Sequence, residues 1–344
     1  INEMEESDML ALASYHEGNF ELTSKFIALS PKSVISKWLK SKLLLMDGKN
    51  TEAESLLRDI LKELSAREAD NPNILRIQGE LGMVLVLNRR YEDGLTAFLD
   101  GGHFLDAAYV AEKVMNCQEL IDYAEKMETN FAENGASYKI NYINYILAKR
   151  LARLGMYESA KKYYPLEHFG PFNDFCKKIK SGQDTSNSDE SRARSLFDAA
   201  VITRNKGMEL FGTELDPDYS IFFGNYSFGN SLDIRVYDRC NKNLEPTNEE
   251  GIRVVNSMNE IAPLKRFHYR WKAADLAFQA SELMPDNSDE TAKILYIAGC
   301  WLKYIDPTYA EKFYKELVRR CGKTELGKMA DQKRWFPKMS DTHI

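Results

Sequence analysis

A chain of 344 residues with 44% hydrophobic and 28% charged side chains and a mean hydropathy of -0.46 carries enough apolar material for a packed core beneath a soluble exterior, in one elongated array or two lobes. Its formal net charge of -6 argues against nucleic acid as an obligate partner, because phosphate binding needs a clustered excess of Lys and Arg. No stretch approaches the roughly 18 apolar residues that span a bilayer, and the five cysteines lie far apart without a CxxC pair, which leaves neither a zinc site nor a dense disulfide framework to expect.

The sequence opens on Ile1 rather than Met, so an upstream piece such as a leader, a tag or another domain is expected, and a cell-envelope or a cytoplasmic location both stay open. From there a two-helix phrase recurs: a helix closed by Gly or a polar turn, an aromatic, then a second helix with small and large apolar positions four apart. It reads "LLLMDGKNTEAESLL" (43–57), "LVLNRRYEDGLTAF" (85–98), "LARLGMYESAKKYY" (151–164) and, late in the chain, "WLKYIDPTYAEKFY" (301–314). Aligned on the small residue of the second helix, Thr23, Ala53, Gly94, Ala160 and Ala310 fall in equivalent places, and "FLDAAYVAEKVMNCQELIDYAEKM" (104–127) supplies a further unit with Ala124. A period of this size marks stacked helical hairpins, each burying its apolar face on its neighbours. Gly18, Gly48 and Gly155 stand where one helix stops, because Gly tolerates the left-handed turn there, and Phe20, Tyr91 and Tyr157 open the helices that follow. Pro31, Pro72 and Pro165 mark unit edges.

This region resembles the tetratricopeptide repeat family. Leu81, Gly82 and Phe98 match its Leu-Gly pair and second-helix aromatic, and Leu147, Ala148, Leu151, Ala160 and Tyr164 match in a later unit, with Gly94 standing where Ala is usual. The resemblance implies an all-α fold, a right-handed superhelix of helical hairpins, and a groove lined by the first helix of each pair. It thereby nominates Lys37, Lys40, Arg76, Asn141, Asn144 and Arg150 as groove residues.

Residues 1–180 form the N-terminal array on this reading. "SGQDTSNSDES" (181–191), without one large apolar side chain, is a polar linker, and 192–344 make a C-terminal helical lobe. That lobe begins with a helix at 190–212 and is broken by an irregular aromatic-rich insert at 213–249, with a short β-hairpin expected at "YSIFFGNYSF" (219–228). Helices resume near Pro263, with Ser288 as an N-cap, Pro307 in a first turn, and Trp335 and Phe336 covering the last apolar face. The basic tail from Lys312 onward is a solvated helix face. Cys240 and Cys321 are the cysteines expected to be accessible.

Two segments carry candidate chemistry. In the insert, Phe222, Phe223, Tyr226 and Phe228 are either core aromatics or a contact surface for a peptide or a carbohydrate. Glu214, Asp216 and Asp218 have the alternate spacing that opens a calcium loop, but Tyr219 replaces its Gly and Asn225 its final Glu. In "KRFHYRWK" (265–272), Arg266 and Arg270 share a helix face and form either a solvated basic face or an anion grip. The five histidines are scattered, and no HExxH, Gly-x-Ser-x-Gly, P-loop or GxGxxG motif is present, so neither an enzyme nor a cofactor is expected. The leading expectation is a non-enzymatic scaffold for a protein or peptide partner. The alternative is an extracytoplasmic carbohydrate- or nutrient-binding protein using loop 219–228, similar to helix-rich glycan-binding lipoproteins of some gut bacteria. A paired-carboxylate hydrolase is the third reading.

Overall fold

The computed structural model describes residues 6–67, 71–131, 137–215, 245–260 and 268–338. Every regular element among them is a helix, and successive helices pack in adjacent pairs. The chain divides into two compact units, Ile1–Ile143 with Ser227–Asn259, and Asn144–Tyr226 with Glu260–Ile344.

The first unit is built from α1 (Ser7–His16), α2 (Phe20–Leu29), α3 (Val34–Met46), α4 (Asn50–Arg67), α5 (Pro72–Leu87), α6 (Tyr91–Asp100), α7 (Phe104–Tyr109), a π-helical turn (Val110–Val114) and α8 (Cys117–Phe131), followed by α9 (Ser137–Arg153), which carries the division between the units. The aromatics Phe20 and Tyr91 open α2 and α6 as the pattern requires. The small residues Thr23, Ala53 and Ala124 are buried, as is Gly94, because paired helices cross there. At the α5–α6 crossing a methyl group added to Gly82 would stand 2.7 Å from the Phe98 ring, so backbone contact is what the Leu-Gly pair provides.

One turn closes most of these helices. Gly18, Gly48, Gly102 and Gly155 have φ between 71° and 78°, and the two amides after each helix return to carbonyls inside its last turn, as in Asn19 N to Ser14 O (2.9 Å) and Lys49 N to Leu44 O (2.8 Å). Between α5 and α6 the same turn places Arg89 at φ 60°, with Arg90 N reaching Leu85 O at 2.8 Å. A side chain in that conformation is strained, and the hairpin's packing imposes it.

The same unit includes α13 (Asn248–Glu260), whose docking depends on polar groups. Tyr109 Oη donates to the buried Glu250 carboxylate at 2.6 Å, and Arg253 grips both oxygens of Glu119 at 2.9 and 2.8 Å while stacking over Tyr91. Its outer side leaves Ile252 and Val255 exposed.

The second unit contains α10 (Tyr157–Lys161), α11 (Leu166–Gln183), α12 (Asp189–Phe211), α14 (His268–Glu282), α15 (Asp289–Leu302), α16 (Pro307–Cys321) and α17 (Glu325–Lys333). The long α12 packs between α11 and α14. Ala160 and Ala310 are wholly buried, Ser288 caps α15, Pro307 begins α16, and Phe336 seals α15 by seating its ring against Gly299. Residues 181–191, polar enough to suggest a linker, are the end of α11, a turn, and the start of α12. Asn187 Nδ2 bonds Ser181 O at 3.3 Å, and Ser188 Oγ accepts from Ser191 N. Cys321, expected to be accessible, is wholly buried; the insert residues 216–244, including the expected hairpin and Cys240, lie outside the described residues.

The end of α12 is held by side chains from α9 and from the segment after α10. A helix leaves its last four carbonyls without backbone donors. Here Tyr145 Oη bonds Glu209 O at 2.8 Å, Tyr164 Oη bonds Leu210 O, and Arg153 Nη1 bonds Phe211 O and Gly212 O at 3.2 and 2.7 Å. Beside them the buried Lys149 pairs with Glu214 and lies 4.1 Å from the centre of the Tyr145 ring.

Urea unfolding checks the two backbone arguments. Arg89→Gly is expected to stabilise the protein by about 0.5–1 kcal/mol by relieving the left-handed strain, and Gly82→Ala to destabilise it by about 1–3 kcal/mol by pushing on Phe98.

Candidate interaction face

The first helices of three successive pairs, α1, α3 and α5, bring one aromatic and charged cluster together. Trp38 on α3 donates its indole N–H to Glu80 Oε2 on α5 at 2.8 Å. Lys42, one turn after Trp38, reaches the other oxygen of Glu80 at 2.8 Å, and Arg76 Nε approaches that same oxygen at 3.5 Å. The Arg76 guanidinium lies 4.5 Å from the Trp38 ring centre and the Lys42 ammonium 5.4 Å, so the indole sits between two cations. Tyr15 on α1 belongs to the same neighbourhood: burial first, and then the Glu80 carboxylate, raise its hydroxyl above the ordinary range. Tyr15, Ile35 and Trp38 also share an apolar cluster with buried Ala11 and Leu39, which anchors the ring bodies while leaving them partly exposed.

Two carboxylates fix the helices that carry this face. Glu63 on α4 accepts from Lys37 at 2.6 Å and from Arg67 at 2.5 Å; the Lys37 hydrogen bond is the main reason its carboxyl sits below the ordinary range. Glu54, also on α4, is almost buried. It receives Arg58 and Asn88 at 2.9 Å and Arg90 at 2.5 Å, the last two from the α5–α6 turn. Burial alone would raise the Glu54 carboxyl, but the bonds from Asn88 and Arg58 and the charges of Arg90 and Arg58 bring it below its usual value. Glu54 therefore locks α4 onto the next pair and so sets α5, with Arg76 and Glu80, against α3.

The groove residues expected from sequence divide accordingly. Lys37 and Arg76 join these networks, Lys40 is exposed on α3, and Asn141 is exposed on α9. Asn144 is half-buried. Arg150 is only 2% exposed, so it lines no surface. Arg270 is half-buried near the start of α14, while Arg266 lies outside the described residues, as do Phe222, Phe223, Tyr226, Phe228, Asp216 and Asp218. Glu214 is engaged by Lys149. No cluster of three metal-ligating side chains occurs among the described residues. Sequence reasoning selected helices α3 and α5 but missed Trp38, Lys42 and Glu80. The available signal was "KWLKSK" (37–42), an aromatic with a cation one turn away on a first helix.

Beside the face, α4, α5 and α6 enclose a cleft of about 290 Å³ with an apolar floor of Leu61, Leu81 and Leu85 and a polar rim that includes Arg58, Asp93 and Asp100. No helix among the described residues is long and apolar enough to cross a membrane. No protein-family profile matches the chain, and no curated protein matches it in sequence.

Replacing Glu54 tests the lock. Glu54→Gln is expected to cost about 1–3 kcal/mol at pH 7, because the charged donors around it lose their acceptor charge. A carboxyl held below its unfolded value contributes fully above that value and loses its contribution as pH falls through the folded one. The gap between wild type and variant in urea midpoint should therefore be complete at neutral pH and close progressively below about pH 4.

Proposed function

We propose that the chain is a non-enzymatic scaffold of tetratricopeptide-like helical hairpins, wound in the right-handed sense of that family, and that its first unit binds a protein or peptide segment across the face of α1, α3 and α5. The observation that carries this reading is the convergence of Tyr15, Trp38, Lys42, Arg76 and Glu80 from three consecutive first helices. Trp, Tyr and Arg are the side chains that most often dominate binding energy at interfaces, because they combine a large apolar body with directed polar groups. Here the indole and the guanidinium are already held in place by Glu80, so little side-chain freedom remains to be lost on association. The chemistry favours a partner segment that lays an apolar or aromatic side chain on Trp38 and brings an acidic group to Lys42 and Arg76, joining or replacing Glu80.

Affinity capture with wild type and with Trp38→Ala/Arg76→Glu tests this, with circular dichroism and the melting temperature as fold controls. A partner retained by wild type and depleted at least ten-fold on an intact variant supports the reading. Identical partner sets on both proteins contradict it.

A further inference from the structure

Helix α5 has two distinct sides. Arg76 and Glu80 belong to the face shared with α1 and α3, whereas Gln78, Leu81 and Leu85 line the cleft of about 290 Å³ that α5 forms with α4 and α6. That is the small end of the volumes that ligand sites occupy, roughly 300–1,000 Å³. Leu81 and Leu85 are buried and floor the cleft, while Arg58 on α4 and Asp93 and Asp100 on α6 stand exposed at its rim, so it opens to solvent.

The polar groups sort to the two ends of this cleft. Asp93 and Asp100 are seven residues apart on α6, which places them on one stripe and about 10.5 Å apart along the helix axis. Arg58 belongs to the Asp93 end, because its Nε and Arg90 Nη1 share Glu54 Oε1, and Arg90 Nε in turn bonds Asp93 Oδ2 at 2.8 Å. Gln78 belongs to the Asp100 end: a methyl group added to the adjoining Gly101 would stand 2.9 Å from Gln78 Cβ. Each charged group keeps an open side. Arg58 uses only Nε on Glu54, Asp93 takes Arg90 on Oδ2, and Asp100 takes Lys139 on Oδ1 at 2.7 Å. Arg58 Nη1 and Nη2, Asp93 Oδ1, Asp100 Oδ2 and the Gln78 amide have no hydrogen-bond partner among the described residues.

We propose that this cleft binds a free basic α-amino acid, with lysine as the type. The ligand carboxylate faces the Arg58 guanidinium and its α-ammonium faces Asp93. Its methylene stem lies over Leu81 and Leu85, and its terminal ammonium reaches Asp100 and the Gln78 carbonyl. The charges are complementary one for one, since the rim offers one cation and two anions and the ligand carries two cations and one anion. The length fits as well. Six bonds separate the two ammonium nitrogens of lysine, roughly 7.5 Å when extended, and a hydrogen bond of about 2.8 Å at each end closes the remaining distance along α6. A lysine within a polypeptide would lack the carboxylate and α-ammonium that Arg58 and Asp93 would receive, and an apolar amino acid would leave Asp100 without its cation.

Isothermal titration of the full chain with L-lysine at pH 7.5 should show one site with a dissociation constant below about 5 mM. Norleucine, which lacks the terminal ammonium, and cadaverine, which lacks the carboxylate, should each bind at least five-fold more weakly. These analogues need no variant. Asp100→Asn, checked for fold by circular dichroism, should weaken lysine at least five-fold and leave norleucine unchanged. The face variant Trp38→Ala/Arg76→Glu should bind lysine as wild type does, which separates this site from the face on the other side of α5. A weaker constant, either analogue within five-fold of lysine, lysine binding that survives Asp100→Asn, or binding lost in the face variant would overturn the proposal.

Discussion

Close crossing of paired helices at a small residue is the constraint on which the rest of the molecule depends. Thr23, Ala53, Ala124, Ala160 and Ala310 are buried to the last few per cent, and at α5–α6 the approach is tight enough that Phe98 lies over the backbone of Gly82. Larger side chains there would force the helices apart and open the seam that each hairpin buries on its neighbour. The left-handed turn after α1, α3, α5 and α9 completes the constraint, since it satisfies the last carbonyls and reverses the chain within two or three residues. With crossing and turn fixed, equivalent positions of α1, α3 and α5 fall on one face. Trp38 can then meet Glu80 although 42 residues separate them.

Polar groups finish what apolar packing begins. Glu54 gathers donors from its own helix and from the next turn, so its ionisation is coupled to the spacing of two hairpins. In the second unit the carbonyl end of α12, the negative end of a 23-residue helix, is met by Arg153 and two tyrosine hydroxyls. Both arrangements satisfy groups that would otherwise be buried without partners, which is costly in a helical array where backbones end against one another. At Lys272 the ammonium group lies among the rings of Phe211, Tyr157 and Phe175, with no carboxylate paired to it among the described residues.

Much of the fold was legible because size and turn chemistry repeat in the sequence. Gly18, Gly48 and Gly155 announced their turns, and the aromatics after them announced the next helices. Arg89 occupies the same turn without announcing it, since only tertiary packing holds a long side chain in that conformation. Residues 181–191 misled because Ser, Asp and Asn favour helix caps and tight turns for the same hydrogen-bonding reason that they favour linkers. α11 was hidden by Gly170 and Pro171, which sit inside it. For the interaction face, helical phase was the limit. Lys37 and Arg76 lie in the charged networks of α3, α4 and α5, whereas Arg150 is buried, which a small error of helical phase is enough to hide. Trp38 and Glu80 escaped notice because a first-helix tryptophan resembles a core aromatic until its cross-helix carboxylate is seen.

The most direct measurement of the central claim is site-specific photo-crosslinking in cells, with a photoreactive amino acid placed at Lys42 on the face and, separately, at the exposed Asp59 on α4. A discrete protein adduct from position 42, absent or at least ten-fold weaker from position 59, is the predicted result. Equal adducts from both positions, or an adduct from position 59 alone, would contradict a scaffold that works through the first-helix face.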